Sequence, residues 1–202
     1  MKQLRVKITG TRPLLMHNGA LADKLNPWVR KIRLITSKHS SKKTDDDEEE
    51  LARLEWNGGL YYDDIAGCPV VPAESIEGAI RDGAKASRKG KDAICGITVI
   101  EPMSPVEYDG PRGREELWLH EISGRRAFVD RRGAGVQRSR VMRTRPRFDS
   151  WSLTFGVQVD TDAIDVQSVK RALIEAGARK GMCDYRPRFG LFTVDEFSVV
   201  KP

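Results

Sequence analysis

Residues 151–177, WSLTFGVQVDTDAIDVQSVKRALIEAG, decide how the rest of the chain is read. Trp151, Leu153, Phe155, Val157 and Val159 alternate with polar or small residues, the period of a strand with one buried face. Asp165 then stands before Val169, Ala172, Leu173 and Ala176 at helical spacing, so it reads as an N-cap and Gly177 as the C-terminal stop. A strand running straight into a helix is half of an α+β fold. The flanking sequence supplies the other half.

Downstream, a loop KGMCDYRPRFG leads to a last strand from Leu191 to Val200, whose alternation slips at Asp195-Glu196 and predicts a bulge. At the N-terminus, Leu4, Val6 and Ile8 form a strand, the turn Thr11-Arg12-Pro13 follows, and Leu14–Met16 is a short second strand. Ile76, Ala79, Ile80 and Gly83 share one helical face, with Glu74 and Glu77 in the first turn, Lys85, Arg88 and Lys89 in the last, and Gly90 as the stop. Ile94 to Ile100 reads as a strand. The order predicts an RRM/ferredoxin-like β-α-β-β-α-β antiparallel sheet with helices on one face. One domain spans 1–202, carrying an insertion at 20–70 and a basic arm at 110–147. In the insertion, Thr44 caps a helix whose first turns are the six acids Asp45–Glu50, running to Leu51, Leu54 and Trp56 until Gly58-Gly59 stops it. The acid run reads as a solvated surface, or as a contact for a neighbouring copy's basic arm. Leu117–Leu119 and Ala127–Val129 read as short strands flanking the arm.

That arm holds the chain's charge. Arg125 to Arg147 contains nine arginines and one acid, Asp130, for a net +8, while the whole chain is only +6. Choosing arginine throughout suits phosphate, because a guanidinium forks two donors onto it and stacks on a base. The plain alternative is a basic hairpin paired with acids of the insertion, a pairing expected for some of these arginines and not for all. Three scattered cysteines, Cys68, Cys95 and Cys183, without a C-x-x-C, argue for a reducing compartment and against a disulfide framework or cysteine zinc site. With no apolar leader and no run of membrane-spanning length, the expected location is cytoplasmic.

Three pieces resemble the RAMP superfamily of CRISPR effector complexes, and most resemble its backbone subunits. The opening strand with Thr11-Arg12-Pro13-Leu14, the run Val71-Pro72-Ala73-Glu74-Ser75-Ile76-Glu77-Gly78-Ala79-Ile80-Arg81 leading into the first helix, and residues 177–192 with Gly181, Arg186, Arg188 and Gly190 are similar to that family's motifs. Ala73 and Glu74 replace the glycine and serine of the family's pattern, and the last loop has fewer glycines than usual. A phage-encoded relative outside any CRISPR complex would carry the same signature.

The resemblance implies a subunit that holds single-stranded RNA through its phosphates, assembles head to tail with copies of itself and meets other CRISPR effector subunits. Arg125, Arg126, Arg131 and Arg132 would form the tip of a thumb, with Arg138, Arg140, Arg143, Arg145 and Arg147 along it. In the last loop, Lys180, Arg186 and Arg188 would take phosphates and Tyr185 a base; Tyr185 and Phe189 are equally readable as core. His17 stands where ribonucleases of the superfamily often place a catalytic histidine, and Asp23 where some backbone subunits carry a cleaving aspartate. A lone histidine or acid is more often structural. No metal or cofactor is expected, and His39 and His120 have no ligand spacing. The alternatives are a metal-independent endoribonuclease using His17, and a phage single-stranded DNA-binding or recombination protein.

Overall fold

The structure, a computed structural model, describes residues 1–136 and 139–200. In chain order come β1 (Lys2–Gly10), β2 (Leu14–Leu15), α1 (Pro27–Thr36), α2 (Asp45–Gly59), β3 (Tyr62–Asp63), β4 (Cys68–Pro72) and α3 (Ala73–Ala84). They are followed by α4 (Gly90–Gly96), β5 (Ile97–Val99), β6 (Met103–Glu107), α5 (Arg114–Leu119), β7 (Glu121–Ile122) and β8 (Arg125–Arg126). The remainder are β9 (Val129–Val136), β10 (Ser139–Phe148), β11 (Ser152–Val159), α6 (Val166–Glu175) and β12 (Phe192–Val199). The protein is α+β with antiparallel sheets.

The chain divides into two compact units, each interrupted in sequence. The first comprises Met1–Leu14, Tyr62–Gly110 and Phe148–Pro202, and the second Leu15–Tyr61 and Pro111–Arg147. Most of the expected insertion, up to Tyr61, lies in the second unit, while β3 pairs with β4 and belongs to the first unit's sheet. The insertion and the arm are not separate decorations; they fold upon each other.

In the first unit, β1 lies between β11 and β12, and the sheet order is β12-β1-β11-β6-β4-β3, with β5 also on β11. Leu4, Val6 and Ile8 stand opposite Val157, Phe155 and Leu153, and all six are buried. Alternation leaves Arg5, Lys7 and Thr9 on the other face beside Gly156, Thr154 and Ser152. The register slips between Lys7 and Ile8 as β12 passes Asp195, so the predicted bulge is present. α3 buries Ile76, Ala79, Ile80 and Gly83, the face expected from spacing. It lies very close to α6, since a Cβ on Gly83 would stand 2.0 Å from the Ala172 carbonyl oxygen. Glu77 reaches from α3 to accept the Val99 N–H at 2.8 Å.

Four expected boundaries move. α3 is followed by a 3-10 turn ending at Arg88 in the left-handed region (φ 61°) and by α4, so only Ile97–Val99 of the expected 94–100 strand is extended. Leu117–Leu119 is helical, because Gly113 begins α5 and Glu115 and Glu116 fill its first turn while Leu117 and Trp118 are buried. Of Ala127–Val129, only Val129 is in a strand. Gly177 does not stop α6; a π-turn over Ala176–Lys180 continues it to Gly181, whose φ of 71° is the real break.

In the second unit, α2 starts as expected at Thr44, which forms a reciprocal capping box with Asp47. The helix ends at Gly59, as expected, with Leu60 as its C-cap, and a Cβ on Gly58 would strike Leu21 and Trp28. The Trp56 indole donates to the Phe128 carbonyl at 2.8 Å, and the Met16 N–H to Pro146 at 3.0 Å. β9 and β10 form the expected hairpin, with Arg131 opposite Thr144, Arg132 opposite Arg143 and Asp130 opposite Arg145.

Candidate nucleic-acid interface

The loop before β12 is a closed clasp in the first unit. The Met182 N–H donates to Gly190 at 3.0 Å, Gly190 donates to Pro13 at 2.8 Å, and Gly181 donates to Ala176 at 2.7 Å. Gly190 has φ 71°, and a Cβ there would meet the Met182 carbonyl at 2.1 Å, so no other residue fits that neck. Between the glycines, Cys183 and Tyr185 both hold φ near 58°, a left-handed backbone uncommon outside glycine that concentrates where function demands it.

The clasp opens a pocket of 630 Å³ lined by Asp82 from α3, Lys85 from the 3-10 turn after it, Arg179 and Lys180 from the π-turn, and the segment from Cys183 to Pro187. Lys180, Arg186 and Arg188 are all exposed. Arg186 reaches Asp82 at 3.2 Å, and Arg179 pairs with Glu175 at 3.3 Å. Lys180 and Arg188 make no ion pair among the described residues. Burial works to raise the Asp82 carboxyl, but the Lys85 ammonium at 2.7 Å, with Arg81 and Arg186 nearby, outweighs it and holds the group below the ordinary aspartate value. Burial pushes the Cys183 thiol up to about 12, against the pull of Arg186 and a hydrogen bond with Ser75, so it stays neutral. The two readings of the loop aromatics divide between the rings. Phe189 is 7% exposed and belongs to the core, whereas Tyr185 is 41% exposed and packs edge-on against it at 5.8 Å, leaving surface for a stacked base.

On the sheet's outer face, Glu107 accepts from Ser152 at 2.8 Å and Thr154 at 3.3 Å with Lys7 at 3.8 Å, and Thr9 donates to Asp195.

The arginine arm is a mixed surface rather than a continuous track. Asp130 is 5% exposed and takes both Arg132 and, at 3.6 Å, Arg147. Glu55, also buried, meets Arg143 at 2.5 Å and accepts the Thr144 N–H at 2.9 Å. Arg145 is buried. Breaking a pair whose acid is buried costs about 3–5 kcal/mol, so Arg132, Arg143 and Arg147 hold the fold together through Asp130 and Glu55. Arg126 meets Glu49 at 2.6 Å with its guanidinium 4.1 Å above the Trp118 ring, and Arg131 meets Glu48 at 3.8 Å. Those pairs are half-exposed and worth only about 0–1 kcal/mol. Arg125 is exposed. Arg138 lies outside the described residues, and Arg140 faces Gly135 across the hairpin. Within the acid run, Glu48 and Glu49 bind the arm of their own chain, as the plain pairing alternative expected for some of these arginines.

His17 is exposed, and its carbonyl accepts from the Tyr61 hydroxyl at 3.3 Å. Asp23 accepts the Leu25 N–H at 2.9 Å, a turn-forming role. Among the described residues, no group of three or more His, Cys, Asp or Glu is placed to hold a metal, and no helix is long and apolar enough to cross a membrane.

Sequence reasoning missed α1 altogether. Asn26 caps it through the Trp28 N–H, Pro27 opens it, and Arg30, Lys31 and Arg33 line its exposed face, with Lys31 5.5 Å from the Trp28 ring. The Asn-Pro start signal was available there. Lys85 and Arg179 were missed as well, because only folding brings them to the clasp. No protein-family model and no curated protein sequence matches the chain.

Proposed function

We propose that the protein is a single-stranded RNA-binding subunit of RAMP type, holding RNA by its phosphates in a CRISPR-type ribonucleoprotein built from copies of itself and other effector subunits. The observation that carries this reading is the strained basic clasp between Gly181 and Gly190, where Lys180, Arg186 and Arg188 stand exposed beside Tyr185 around a 630 Å³ pocket. The first unit's sheet supports it. Counting the four strands β1, β5, β11 and β12 in chain order, β1 lies between the fourth and third, and β5 beside the third. We read that order as support for an RRM/ferredoxin-like β-α-β-β-α-β arrangement of these four strands within the larger sheet.

The chemistry follows from the side chains. Lys180 offers a point charge, Arg186 and Arg188 offer forked donors, and Tyr185 offers a ring that accepts any base. Recognition is therefore by backbone and shape, and insensitive to sequence. Asp82 holds Arg186 in place without neutralising its neighbours.

The test is equilibrium binding of labelled single-stranded RNA to the wild type and to Lys180→Ala/Arg188→Ala. These two side chains take part in no ion pair among the described residues, so the variant folds normally. Wild type binds, and the variant loses affinity with a salt slope shallower by about 0.7 per lost phosphate contact. Equal binding by both proteins, or a preference for matched DNA, rejects the reading.

A further inference from the structure

The arginines of the arm fall into two groups by what holds them. Arg132, Arg143, Arg145 and Arg147 are committed to the interior of the second unit through Asp130, Glu55 and burial. Arg125, Arg126 and Arg131 instead line a separate surface pocket of 420 Å³ with Trp118, Glu49 and Glu121. There the guanidinium of Arg126 sits over the Trp118 ring, 4.1 Å from its centroid, and meets Glu49, while Arg131 reaches Glu48. Three cations face three carboxylates, Glu48, Glu49 and Glu121, so the pocket is locally neutral in the free protein.

We propose that this pocket is a second phosphate-binding surface for single-stranded RNA, covered in the free protein by Glu48 and Glu49, which an incoming phosphate chain displaces. This rests on the RNA-binding reading above and adds a gate to it. Glu48 and Glu49 hold two of the arginines with oxygen anions, as phosphates would. Their side chains are 44% and 53% exposed, so water already reaches both pairs and exchange carries little penalty. Trp118 keeps the Arg126 fork oriented when Glu49 leaves, so the surface is organised before RNA arrives. The start of α2 does not depend on the two glutamates, because its cap is the Thr44–Asp47 box and Asp47 is further tied to Lys38 at 2.6 Å.

The experiment uses the full chain and a fluorescent oligouridylate, with affinity read by anisotropy at several salt concentrations. Glu48→Gln/Glu49→Gln should bind about three- to thirty-fold tighter than wild type, the equivalent of removing two weak competing pairs. Asp46→Asn/Glu50→Gln removes the same charge from two exposed positions that make no ion pair among the described residues, and should gain no more than about twofold by screened attraction alone. Adding Arg125→Ala/Arg131→Ala to the Gln pair should cancel its gain. Equal gains in the two charge variants, or no gain in the first, overturn the gate. If wild type binds RNA through Lys180 and Arg188 while Glu48→Gln/Glu49→Gln is unchanged, the gate alone falls. If no version binds, the RNA-binding reading falls with it.

Discussion

Cysteine and aspartate show most directly how surroundings set chemistry here. Cys95 is exposed, Cys68 is buried, and the Cys183 thiol is pushed up to about 12 by burial. A thiol reagent at mildly alkaline pH should therefore modify one cysteine quickly in the native protein and all three only after unfolding. Fast modification of two would show that the clasp opens. Asp82 links α3 to the clasp through Lys85 and Arg186, and its pKa is lowered in the fold. The stability it contributes is complete above the unfolded value near 3.9 and disappears as pH falls through the lower folded value. Urea midpoints measured down the acid range should drop less steeply for Asp82→Asn than for wild type. Lys180, Tyr185, Arg186 and Arg188 were legible in the sequence as a basic loop with a ring. That Tyr185 is exposed and Phe189 buried was not, because residues four apart in an irregular clasp carry no periodic signal.

Elements form where local signals agree and shift where packing overrides them. α3 and α6 bury the residues their spacing predicts. Two glycines of α3 should respond oppositely to alanine. At Gly83 the new Cβ meets the backbone of α6, which cannot rotate away, and the loss should be about 1–3 kcal/mol. At Gly78 the nearest atom is the Arg81 side-chain tip at 3.8 Å, and the gain in helix propensity should stabilise by about 0.5–1 kcal/mol. Thermal melts of the two variants decide the point, and destabilisation by both would mean α3 is packed on both faces. In α2, Thr44→Ala removes half of a capping box and should cost about 1 kcal/mol, seen as a lower denaturation midpoint. Where the sequence misled, at 90–96 and 114–119, short helices hold β-branched or aromatic residues; burial of Ala93, Leu117 and Trp118 outweighs their weak local preference.

Charge is divided between the two units of the molecule. Leu15–Tyr61 with Pro111–Arg147 contains 19 Lys and Arg against 12 Asp and Glu, a net +7, and the other unit's 16 against 17 gives −1. On the proposed reading, a polyanion would be drawn mainly to the second unit, with the first contributing its clasp locally. If both proposed surfaces bind, with Lys180, Arg186 and Arg188 engaged and Arg125, Arg126 and Arg131 uncovered, about six phosphates would be neutralised. Single-stranded RNA binding should then show a log–log salt slope near −4, at about −0.7 per phosphate. A slope near −2 would mean that only one of the two surfaces is used.

Composition, period and caps were enough to determine the α+β class, the strand 152–159, the faces of α3 and α6, the Thr44 and Asp165 caps, the β12 bulge and the concentration of arginine in one segment. These properties depend on residues within a few positions of one another. Only the tertiary structure decided that the insertion and the arm form one unit, that Glu55 and Asp130 claim Arg143, Arg132 and Arg147, and that Glu48 and Glu49 cover Arg126 and Arg131. Glu55 and Arg143 are 88 residues apart, and a sequence shows how many charges there are but not which of them meet. That pairing is settled by the packing of α2 against the hairpin, through Trp56 and the Phe128 carbonyl.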